Sequence, residues 1–140
     1  MAYTFPSDEW ISEFGDELNE NEAYNEKASD WGVSFNGNFI FEVLNDGGLD
    51  EDRYFFVGLE AGDCTGAFEV DDPEEVDYGF IFSGEYSDWK RMVQGEVGAI
   101  DGMMSGVFDV DGDMQKILQA SDAAAELVDT TGRVDTEYIA

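Results

Sequence analysis

Apolar residues along this chain recur first at helical spacing and then at strand spacing. Ser7 follows Pro6 as an N-cap, Asp8 and Glu9 suit a first helical turn, and Trp10, Ile11, Phe14 and Leu18 share one face of an amphipathic helix. A shorter helical piece over 22–28 carries Ala23, Tyr24 and Ala28, and the Trp31-Gly32 step marks a change of period. Phe39, Phe41 and Val43 then alternate with Ile40, Glu42 and Leu44 as a half-buried strand introduced by the turn pair Asn36-Gly37. Residues 32–35 either pair with that strand or only lead into it. The continuous apolar run 54–59 predicts an interior strand, and Ala61-Gly62-Asp63 turns it into a weaker strand over 64–70, so the sheet to this point reads as a meander.

The segment 71–77, with Pro73 and five acids, reads as a solvated loop, after which Tyr78, Phe80 and Phe82 alternate as another strand. Trp89, Met92 and Val93 then fall on one helical face that closes at Gly95, a second helix covers 99–105, and a short strand covers 107–110. Met114, Ile117 and Leu118 share one helical turn, and Ala120, Ala123, Ala124, Leu127 and Val128 follow at i, i+3, i+4, i+7 and i+8. This order has no alternating βαβ rhythm. It predicts an α+β fold, a five-stranded, mostly antiparallel sheet covered by helices, formed by residues 1–140 as one domain without a repeat or linker.

Composition changes the picture in one respect. The chain holds 34 Asp or Glu against 6 Lys or Arg and no His, a net charge of -28. High charge alone suggests disorder, but 43% hydrophobic residues, with 11 Phe, 6 Tyr and 3 Trp, supply a core. In dilute buffer such like charge opposes compaction, whereas at 1 M salt the Debye length falls to about 3 Å and the repulsion nearly vanishes. The scarcity of lysine points the same way, because long alkyl stems add apolar surface that high salt penalises. The expectation is a cytoplasmic protein of a salt-accumulating cell. The alternative is an acidic protein of ordinary salt, including one that mimics DNA. The acids fall in loops such as 46–52 and 71–77 and on polar strand positions such as Glu42, which leaves the interior uncharged.

The same composition narrows the chemistry. Six scattered cations do not neutralise a phosphate backbone, so nucleic acid is not an expected partner. No run reaches the ~18 apolar residues of a membrane span, and the start has no basic and apolar leader pattern, so neither secretion nor stable membrane insertion is expected. Without His, ordinary catalytic triads are excluded, and Cys64, the single cysteine, is read as a buried or tolerated thiol. With 34 acids, no carboxylate pair is distinctive. Asp109, Asp111 and Asp113 imitate the start of a calcium loop, but Met114 and Ala120 stand where its Gly and Glu belong, and Asp113 is better read as a helix N-cap. Zinc lacks ligands, and the Gly102–Gly106 spacing lies outside any long apolar helix. No cofactor or metal is expected, and the chain is not read as an enzyme. Lys90-Arg91, the one cationic doublet, suits either an anionic head group or, more simply, an exposed ion pair with Asp88.

What remains is the aromatic and methionine inventory, which fills a core or lines a hollow one; periodicity does not separate the two. The stretch YGFIFSGEYSDWKRMVQGEVGAIDGMMSGVFDVDGDMQKILQ, through Trp89, Gly95, Ala99, Gly106, Gly112 and Leu118, resembles the second half of the sterol carrier protein type-2 family, and the earlier elements fit that family's order. The resemblance implies helices and a five-stranded sheet enclosing an apolar tunnel or cavity for lipids, with the terminal helix near its opening. By position it implies a lining of Phe41, Phe55, Phe80, Phe82, Met92, Met103, Met104, Phe108, Leu118 and Leu127. The function so implied is non-catalytic binding or transfer of an apolar lipid, an isoprenoid, quinone or acyl chain rather than a sterol. The alternative is an accessory or oligomerisation domain with a filled core that supports a larger enzyme or complex; a homodimer stays open.

Overall fold

The computed structural model describes residues 2–46, 49 and 51–139; Gly47, Gly48 and Asp50 of the acidic 46–52 segment lie outside the described residues, as do Met1 and Ala140. Strand β1 (Tyr3–Phe5) leads into helices α1 (Asp8–Glu20) and α2 (Glu22–Lys27), and strands β2 (Phe39–Leu44), β3 (Arg53–Glu60) and β4 (Asp63–Val70) follow. Strand β5 (Phe80–Glu85) runs into α3 (Tyr86–Val93), then come α4 (Ala99–Ser105), β6 (Asp109–Asp111), α5 (Met114–Gln119), α6 (Ser121–Thr131) and β7 (Thr136–Tyr138).

Side-chain oxygens start three of these helices by accepting backbone N–H groups that the helix itself leaves unpaired. Ser7 accepts from Trp10 N at 3.1 Å, Asn21 from Tyr24 N at 3.1 Å, and Asp113 from Gln115 N at 3.1 Å. At the β3–β4 hairpin Ala61 and Gly62 take φ values of 53 and 87, a pair of left-handed residues that matches the twist of the flanking strands. Gly62 has no alternative there, because a Cβ would lie 2.2 Å from the Asn25 carbonyl oxygen.

The five-stranded sheet has the order β4-β3-β2-β5-β6, with β2 and β5 parallel and the other three pairs antiparallel. The β4-β3-β2 part is the meander read from the sequence, and β5 then leaves sequence order. The chain leaves the β4 edge, turns through Pro73–Glu75, and enters beside β2. Burial explains the choice: Phe39, Ile40, Phe41 and Val43 of β2 are all buried, so β2 needs neighbours on both sides, while Asp63, Thr65 and Glu69 leave β4 a solvated edge. Residues 32–35 form no strand. They wrap Trp31, whose Nε1 donates to Gly37 O at 2.9 Å and whose ring meets Phe35 edge-on at 4.9 Å. The short strand expected at 107–110 is shifted to Asp109–Asp111, and β1 and β7 form an unforeseen two-stranded parallel ribbon, Tyr3 opposite Thr136 and Phe5 opposite Tyr138.

Register places Phe39, Phe41, Val43, Phe55, Val57, Phe80 and Phe82 on one sheet face; α1 and α3 pack on the sheet, and α6 packs against these and the other helices. Phe14, Leu18 and Val57 are fully buried within it. Among the described residues, no charged side chain is buried; Asn21, Thr130 and Thr131 are the buried polar residues. No described helix is long and apolar enough to cross a membrane.

Candidate binding cavity

The aromatic sheet face does not meet the helices everywhere. Phe39, Phe41, Val43, Phe55 and Phe82 make a floor, Phe5 to Ser7 with Trp10, Ile11 and Phe14 make one wall, and Trp89, Met92 and Ala99 make the other. The roof is α5 and α6, through Ile117, Ala124, Leu127, Val128 and Thr131. Between them lies a cavity of about 50 Å³, several times the ~10–15 Å³ that one water needs on the same measure. Where Ala124 of α6 faces the floor it presents only a methyl group, which leaves space above the aromatic rings.

No lining residue is charged. The two lining hydroxyls are spent locally, Ser7 Oγ on Thr4 O at 2.5 Å and Thr131 Oγ1 on Val128 O at 2.5 Å. Both lining indoles donate outward, Trp10 Nε1 to Thr136 Oγ1 at 2.9 Å and Trp89 Nε1 to Glu42 O at 2.9 Å, so they offer the cavity carbon only. Among the described residues, no buried side-chain polar atom lacks a partner. The interior therefore recognises by shape and apolar contact rather than by hydrogen bonds.

Arg53 lies beside the lining residues Pro6 and Phe55. Its Nη1 donates to Pro6 O at 2.8 Å, its Nε and Nη2 clamp Glu69 at 2.6 Å each, and the guanidinium lies 5.7 Å from the centre of the Phe55 ring. A second cavity of about 40 Å³ is bounded by Tyr24, Trp31, Leu59, Ala120 and Ala123. Phe39, Ile117, Ala124 and Leu127 line both. The roof is tied down by a buried hydrogen bond from Asn21 Nδ2 to Thr130 Oγ1 at 2.9 Å and by the Lys27–Glu126 ion pair at 3.0 Å, whose ammonium holds the Glu126 carboxyl below its ordinary range.

Of the ten residues expected to line the interior, Phe41, Phe55, Phe82, Met92 and Leu127 do so. Phe80 is buried but spent on the stack with Phe39 at 5.0 Å and on Trp31 at 5.3 Å. Phe108 is buried beneath Phe82, centroids 4.8 Å apart, and Met103 is buried outside the lining. Leu118 packs on the core one position away from Ile117, which faces inward in its place. Met104 is 71% exposed, because it points away from the face of α4 that carries Met103. The α1 residues Trp10, Ile11 and Phe14 were legible as an apolar stripe but not as lining; Phe5 and Pro6 had no periodic signal.

Reactive chemistry is scarce. Cys64 is buried, its Sγ donates to Gly66 O at 3.5 Å, and burial pushes the thiol above its ordinary range. Arg91 pairs with Asp88 at 3.6 Å, and Lys90 lies 5.1 Å from the centre of the Tyr138 ring, so the doublet is engaged on the surface. Among the described residues no group of three or more potential metal ligands comes together.

Known proteins place this architecture. A crystal structure of sterol carrier protein 2 superposes with a TM-score of 0.81 at 25% identity over 91% of this chain and 97% of that one. A solution structure of a conserved hypothetical protein from Thermus thermophilus, for which a sterol-carrier role is suggested, gives 0.79 at 24% identity over 92% and 88%. The apo sterol carrier protein 2 of Yarrowia lipolytica shares the fold at 12% identity, with a TM-score of 0.57 over 92% and 89%. No curated protein sequence matches. The SCP-2 sterol transfer family model matches residues 18–125, which run from the end of α1 into the first turn of α6 and so include the five-stranded sheet and, of the cavity roof, Ile117 and Ala124. The chain belongs to the SCP-2 sterol transfer family.

Proposed function

We propose that this protein binds and carries an apolar lipid in the cavity between the sheet and α6, without covalent chemistry. The observation that carries the reading is an interior lined by aromatic and aliphatic side chains whose few polar atoms are already bonded elsewhere. Such a site gains free energy only by removing apolar surface from water, at about 25 cal/mol per Å². An isoprenoid, quinone or acyl chain suits it better than a rigid sterol, because a narrow space divided by Phe39 and Leu127 admits a flexible chain more readily than a fused ring system. The excess of surface acids supports work in concentrated salt, where their mutual repulsion is screened.

Native mass spectrometry from a volatile salt, with lipid extraction of protein purified at high salt, tests the reading. A co-purifying apolar molecule is expected, and Met92→Trp, which fills the cavity, is expected to lose it while remaining folded. A protein that carries no lipid and takes up none when offered refutes the proposal, and the filled-core accessory role then stands in its place.

A further inference from the structure

We propose that Leu127 is the partition that sets how long an apolar chain the interior accepts, an inference that rests on the lipid-binding reading. Phe39, Ile117, Ala124 and Leu127 face both cavities, and only one of them is free to move aside. The Phe39 ring is held at 5.0 Å from Phe80 and 6.0 Å from both Trp31 and Phe41. Ile117 is buried and stiff about χ1, as a β-branched residue is, and Ala124 has no side-chain torsion that matters. Leu127 is only partly buried, is unbranched at Cβ, and hangs from the roof between the two spaces.

Strand geometry gives the lengths that the partition separates. The first cavity runs along β2 from Phe39 to Val43, about 13 Å at the strand rise. The second continues to Leu59, two residues past Val57, the partner of Phe39, and adds ~7 Å. With Leu127 in place, a short chain fills the first space only. With Leu127 rotated aside, an extended chain of ~20 Å threads both. Leu127 thus makes the preference for long over short chains adjustable by one rotamer.

Displacement of Nile red by octanol, dodecanol and hexadecanol, measured with the full chain in multimolar salt, tests this. Leu127→Trp should weaken hexadecanol at least about tenfold more than octanol, the worth of roughly two buried methylenes. Leu127→Ala should raise the ratio of hexadecanol to octanol affinity by about threefold or more, since the obstruction is gone. Thermal unfolding of each variant shows whether it is folded, and the alanine variant alone decides the matter if the tryptophan variant is not. An unchanged ratio in the alanine variant overturns the partition while leaving lipid binding intact. Failure of the unmodified protein to bind any of the alcohols overturns the lipid-binding reading, and the partition falls with it.

Discussion

Replacing Gly84 by alanine sets two effects of opposite sign against each other. Gly84 lies in β5, opposite Val43 of β2, with no left-handed backbone to protect. By chain entropy alone alanine would stabilise by about 0.5–1 kcal/mol. A Cβ there, however, would sit 2.4 Å from both Cδ1 and Cε1 of Phe108. The ring has no retreat, because on its other edge a Cβ at Gly102 would meet Cδ2 at 2.5 Å, and Phe82 and Trp89 hold its faces and rim at 4.8 and 5.4 Å. Overpacking of this kind costs about 1–3 kcal/mol, so the clash wins. At about 4 °C per kcal/mol for a domain of this size, a net loss centred on about 1 kcal/mol lowers the unfolding midpoint by ~4–5 °C. Differential scanning calorimetry at fixed multimolar salt measures it, and Phe108→Leu in the Gly84→Ala background should recover part of the loss in a double-mutant cycle. An unchanged or raised midpoint refutes the reasoning that Phe108 is wedged between two glycines.

Two further outcomes follow from charge and burial. Removing salt should lower the thermal midpoint, because carboxylates screened within about 3 Å at 1 M repel over about 30 Å at 0.01 M; identical unfolding curves in multimolar and dilute salt would end the halophilic reading. Alkaline pH should also destabilise. Burial holds the Cys64 thiol and the Tyr24 phenol above their ordinary ranges, and a thiolate at Cys64 would raise the cost of ionising Tyr24 further. The folded chain therefore keeps protons that the unfolded chain releases, so this stabilisation is whole below the ordinary thiol range and lost as pH rises through the raised values. Urea midpoints at about pH 8 and about pH 11 should differ in that sense, and Tyr24→Phe should shrink the difference.

The helices and most strands were legible because they depend on local spacing. Ser7 and Asp113 announced two helix starts, and 99–105 was bounded correctly by its neighbours alone. Strand order was not legible, since nothing local distinguishes a strand that adds beside β4 from one that crosses to β2; only the burial of both faces of β2 settles it. The β1–β7 ribbon has three residues per strand, too few for an alternation to register. The cavity was half visible. Aromatic floor residues alternate as strand residues must, but whether a ring faces open space or another ring depends on what lies across from it. Phe80 and Phe82 share a strand and a face, yet Phe80 is consumed by Trp31 and Phe39 while Phe82 reaches the cavity.

The placement of the indoles gives the molecule a built-in optical map of its interior. Trp10 and Trp89 border the first space and Trp31 borders the second. Intrinsic emission therefore mixes two compartments, and Trp31→Phe leaves only the first to be read. A chain bearing a brominated carbon near one end would quench the tryptophans it lies against and spare the others. The direction in which a guest enters, and how far it travels, can then be read from the light of three residues without attaching a dye.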